Sequence, residues 1–60
     1  MTYFDDLHGA LEEAEYCANM DEEPQDIVAS GSGFKVMPRK AARASGLYIL
    51  ETVNPVEVFL

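Results

Sequence analysis

The polar and apolar positions change period once along this chain. From Tyr3 to Met20, successive residues placed about 100° apart bring Tyr3, Phe4, Leu7, Ala10, Leu11, Ala14, Cys17 and Ala18 onto one continuous face. Asp5, Asp6, Glu12, Glu13 and Glu15 fall on or beside the other face, together with Tyr16 and Met20. The pattern predicts an amphipathic helix over about residues 3–20. Thr2 can cap it, with Asp5 three residues on in a capping-box arrangement, and acids in the first turn suit the helix dipole. Pro24 and the acids before it end the helix, leaving an acidic linker over 21–26.

Beyond residue 26 the period becomes that of strands. Asp26–Ser30 is β-branched at its centre, Gly31-Ser32-Gly33 has turn chemistry, and Phe34–Met37 alternates in part before Pro38. These segments predict a β-hairpin. Arg39–Ser45 is Ala-rich and basic, and reads as a short helical turn or a loop. After Gly46, the run Leu47–Val53 is the strongest strand in the sequence. Asn54-Pro55 breaks it, and Val56–Leu60 alternates again, as a fourth, edge strand or as a segment that pairs with another chain. The fold expected is α+β: one N-terminal helix packed on a small, mainly antiparallel sheet of three or four strands, with residues 1–60 forming a single domain.

Length adds a constraint. Sixty residues bury only about 60% of the surface exposed on unfolding, which gives a small core and no room for a cofactor fold. Cys17 is the one cysteine, so no internal disulfide forms. No apolar run approaches the roughly 18 residues of a membrane span, and the acidic N-terminal stretch is unlike a signal or transit peptide. The expected location is the cytoplasm.

Charge is the most informative property. The chain carries −7 overall, with a pI near 4.2. Residues 1–26 hold nine acids and no Lys or Arg; residues 27–60 hold all four bases, Lys35, Arg39, Lys40 and Arg43, against Glu51 and Glu57. A net acidic chain disfavours direct binding of nucleic acid or of an anionic membrane. The four bases then have two uses, pairing with the acidic helix or meeting an acidic patch on a partner.

No constellation for catalysis emerges. A nucleophile needs a base within hydrogen-bond reach, but His8 and Cys17 stand nine helical residues apart, about 13 Å along the axis and on opposite faces. His8 lies at helical spacing from Asp5 and Glu12, the setting of an ordinary surface contact. Cys17, at the edge of the apolar face, reads as a small filler. Asp21, Glu22, Glu23 and Asp26 lack the central Gly and the spacing of a calcium loop, and one Cys with one His makes no zinc site. Gly31-Ser32-Gly33 leads into a strand, whereas a phosphate loop leads into a helix. The expectation is therefore a non-enzymatic protein without metal or cofactor.

Nine carboxylates unrelieved by a base repel one another. Spaced along a helix, they imitate the phosphates of a duplex, which present one charge per roughly 1.7 Å of axis. Tyr16 and Met20 among them have the character of interface residues. The candidate partner-binding set is Asp5, Asp6, Glu12, Glu13, Glu15, Tyr16, Met20, Asp21, Glu22 and Glu23. In size, charge and organisation the chain resembles the small phage-encoded inhibitors of bacterial defence, the anti-CRISPR and DNA-mimicking antirestriction proteins. That resemblance implies an inhibitor, acting in the host cytoplasm, whose acidic face occupies a basic DNA-binding surface of a nuclease or CRISPR effector complex. The competing expectations are an antitoxin-like or adaptor module held by its apolar tail and helix face, and a small homodimer paired through its C-terminal strands.

Overall fold

The computed structural model describes residues 2–56. In chain order the elements are β1 (Thr2–Phe4), α1 (Leu7–Asp21), β2 (Gln25–Ser30), β3 (Gly33–Pro38), α2 (Arg39–Ser45) and β4 (Ile49–Val53). The four strands form one antiparallel sheet in the order β1-β3-β2-β4. The class is α+β, and α1 packs on the sheet as its apolar face requires.

The topology repeats one device. β1 and β2 both run antiparallel to β3, so they are parallel to each other, and α1 joins them by crossing β3. In the same way β3 and β4 flank β2, and α2 joins them. The two crossovers step the same way along the sheet but start from strands of opposite direction. Crossovers of one hand then place their helices on opposite faces of the sheet.

Two cores result. On the α1 face, Ala10 and Ala14 pack with Ile27 and Val36, flanked by Phe4, Leu11, Phe34 and Val53. On the α2 face, Val28 and Met37 pack with Ala42, flanked by Ala41 and Ile49. Ala10, Ala14 and Ala18 are all fully buried, and their small side chains let α1 lie close on the sheet. The central strand β2 is covered on both faces, so Gln25, Asp26, Ile27 and Val28 are all buried.

Three expectations are corrected at the ends of α1. The helix does not begin near residue 3: Thr2–Phe4 form β1, with Thr2 opposite Val36 and Phe4 opposite Phe34. Asp6 replaces Thr2 as the cap; its Oδ1 accepts the Gly9 amide at 2.7 Å, satisfying one free N–H of the first turn. The acidic linker is shorter than 21–26, because Asp21 ends α1 while Gln25 and Asp26 belong to β2. Val56 is outside any strand, and its amide donates to Asn19 Oδ1 on α1 at 2.8 Å. The remainder of the expected edge strand lies outside the described residues. Among the described residues the sheet's fourth strand is β1.

The hairpin follows the sequence closely. Ser30 pairs with Gly33 across a two-residue loop, and Gly31 takes φ 60° at its first central position, as a type II′ turn requires. Arg39–Ser45 resolves as a helix, opened after Pro38 and closed by Gly46.

Glu22 closes α1 with φ 54°, the left-handed conformation where Gly is the usual residue. A side chain there costs about 1 kcal/mol. Its charge, with those of Asp21 and Glu23, also faces the negative end of the helix dipole, with no base in the last turn. Glu22→Gly is expected to stabilise the fold by about 1 kcal/mol and to raise the unfolding midpoint by about 4–8 °C. A thermal melt of the two proteins checks this; an unchanged or lower midpoint contradicts it.

Candidate functional site

The outer side of α1 is set by its inner side. With Ala10, Ala14 and Ala18 against the sheet, the exposed positions on the side of α1 turned away from it are His8, Glu12, Glu15, Tyr16, Asn19 and Met20. Tyr16 and Met20 are 62% and 66% exposed, one turn apart, with Glu12 and Glu15 beside them. His8 Nε2 meets Glu12 Oε1 at 2.7 Å, an i, i+4 surface contact. Pairs this exposed contribute little to stability.

The ten candidate contact residues divide into groups. Glu12, Glu15, Tyr16 and Met20 form the central patch on α1. Asp21, Glu22 and Glu23 are exposed at its C-terminal end, and Asp5 and Asp6 are exposed before its first turn. Asp6 is engaged as the cap. Glu13 stands apart from the central patch: it is half-buried on the flank, where its Oε2 accepts from Cys17 Sγ at 3.4 Å. Burial pushes the Cys17 thiol up, helped by the hydrogen bond to Glu13 and the negative charges of Glu13 and Asp21. A raised thiol pKa keeps the thiolate fraction, and with it the nucleophilicity, low at neutral pH.

The four bases lie on the other side of the molecule. Arg39, Lys40 and Arg43 are on α2, and Lys35 points to the α2 face of β3, in alternation with Val36 on the α1 face. Among the described residues none of them pairs with a carboxylate, the one contact within ion-pair distance being that of the His8 imidazole with Glu12. The sheet thus lies between the exposed acids of α1 and the bases, with Glu23 at the turn after α1 reaching the basic side.

Asp26 departs furthest from its expected role. Read as a linker acid, it is 1% exposed, and its Oδ1 accepts from Thr52 Oγ1 at 2.7 Å, tying β2 to β4. Its Oδ2 has no partner among the described residues.

A cleft of about 370 Å³ opens where the turn after α1 meets the start of α2, lined by Glu23, Pro24, Pro38, Arg39, Lys40 and Arg43. The junction is held by the Arg39 amide, which donates to the Pro24 carbonyl at 3.2 Å. The basic run was visible in the sequence; its gathering around two prolines, brought together by the pairing of β2 with β3, was not. Among the described residues no three His, Cys, Asp or Glu side chains converge to hold a metal ion, and no helix is long and apolar enough to cross a membrane.

No family model, curated protein or solved structure matches this chain.

Proposed function

We propose that the protein is a non-enzymatic binding module whose α1 surface occupies a basic, nucleic-acid-binding surface of another protein, in the manner of an inhibitor that mimics DNA. The observation that supports this reading is the patch of Glu12, Glu15, Tyr16 and Met20, in which two large apolar side chains stay exposed among acids. Aromatic and Met side chains supply the desolvated centre of an interface, while charges around them steer the encounter. The acids at the end of α1 work against its dipole, so fold stability alone does not account for them. They extend the acidic surface beyond the central patch. Host nuclease or CRISPR effector subunits are the partner class that such a surface suits, in the cytoplasm of the host cell.

The test is capture from bacterial lysate with the tagged protein at low and high salt, followed by competition with duplex DNA. The expected partner is lost at high salt, is displaced by DNA, and is retained at least tenfold less by the double variant Glu12→Lys/Glu15→Lys. Both side chains are exposed, so the fold tolerates the change.

A second reading has its own observation. β4 is an edge of the sheet, and Leu47, Tyr48 and Leu50 beside or on it are 38%, 72% and 43% exposed. An adaptor or homodimer would use that edge. Retention that survives high salt and the double variant would replace the first reading with this one.

A further inference from the structure

We propose that the cleft at the start of α2 is a binding site for a small organic phosphate monoester. It lies on the basic side of the sheet, away from the Glu12, Glu15, Tyr16 and Met20 patch, and shares only Glu23 with the acidic set.

Three of the protein's four bases line this one cleft. Arg39 and Arg43 are one helical turn apart, so their guanidinium groups leave α2 on the same side, with Lys40 next to them. Two planar forks and an ammonium suit a tetrahedral dianion, which accepts several charge-assisted hydrogen bonds at once. Among the described residues no carboxylate comes within ion-pair distance of these bases, Glu23 being the one acid in the cleft lining. Their positive charge is available to a ligand.

The rest of the cleft selects the ligand's size and body. Pro24 and Pro38 supply rigid apolar walls, and the Arg39–Pro24 backbone bond holds them in place. A volume of about 370 Å³ is at the small end for ligand pockets. A long polyanion is disfavoured, since it would run out of the cleft onto a chain of charge −7. A monoester places its whole charge, about −1.5 to −2, inside the cleft and its organic body against the prolines. Glu23 at the rim is an acceptor for a hydroxyl of that body.

The experiment is a titration of the ¹⁵N-labelled protein with phenyl phosphate, inorganic phosphate and phenol at fixed ionic strength, followed by amide shifts. Phenyl phosphate should saturate shifts at Glu23 and at Lys40–Arg43, at least about tenfold more tightly than either fragment alone. The variant Arg39→Gln/Arg43→Gln should bind at least about tenfold more weakly with its spectrum otherwise intact, while Lys35→Gln binds as the parent does. Non-saturating shifts shared with Lys35, equal binding of inorganic phosphate, or a double variant that binds normally would each overturn the proposal.

Discussion

Replacing Gly33 by alanine is expected to cost about 3 kcal/mol and to release β1 from the sheet. Gly33 is buried at the start of β3, directly under the ring of Tyr3. A Cβ built there would overlap Cζ and Oη of Tyr3 and the backbone carbonyl oxygen of Phe4. The ring can swing aside, but the carbonyl moves only if β1 moves. β1 is three residues long and pairs with β3 alone, so it has no other anchor in the sheet. Its displacement also withdraws Phe4 from the core under α1. Overpacking of this kind costs about 1–3 kcal/mol, and more where backbone is involved. A domain of this length has only about 3–9 kcal/mol of stability to lose. Denaturant unfolding measures the cost, and amide exchange locates it: protection should vanish over Tyr3 and Phe4 before Ile27 and Val28. A loss under about 0.5 kcal/mol, with β1 still protected, contradicts the account.

The second large effect is expected at Ile27. It is fully buried in β2 and faces Ala10 and Ala14 of α1 beside Val36. Truncation to alanine removes the largest fully buried side chain among the described residues, and the facing alanines have no reach to refill the space. The sheet cannot follow, because β2 is hydrogen-bonded on both edges and packed on both faces. Ile27→Ala should therefore cost about 3–5 kcal/mol, near the top of the range for such changes, and Ile27→Val about 1 kcal/mol. The urea midpoint should fall for both with the slope unchanged. Equal midpoints for the alanine and valine variants would show that the site collapses freely.

These two positions show what the sequence discloses and what it withholds. The α1 stripe of Ala10, Leu11, Ala14 and Ala18 is local and periodic, and it is legible. So is the hairpin around Gly31, where a positive φ at a two-residue loop leaves few alternatives. β1 is not legible. Tyr3 and Phe4 also fit the helical face, and their strand partners, Lys35 and Phe34, are about thirty residues away. Thr2 and Asp5 imitate a capping box, while the cap is made one turn of pattern later by Asp6. Asp26 looks like one more acid of a charged run. It is buried because helices cover both faces of β2, and a doubly covered strand loses the alternation by which sequence reading separates inside from outside. Of the candidate site, Tyr16, Met20, Glu12 and Glu15 fall together because they share one helix. The placing of the exposed α1 acids and the bases on opposite sides of the sheet depends on two crossovers, and no local pattern records it.

The strand order has a consequence for how the chain assembles as it is made. β1 leaves the ribosome ahead of everything it pairs with, and its one partner, β3, follows about thirty residues later. α1 can coil in the interval, but it has no sheet to rest on until β2 and β3 close their turn. The first pairing open to the emerging chain is therefore that of β2 with β3 in the middle of the sequence, with β1 already outside and β4 still to emerge. A chain exposed only as far as Pro38 would hold a three-stranded sheet with α1 in place and β2 open along one edge, the state in which β2 is most vulnerable to pairing with a neighbour.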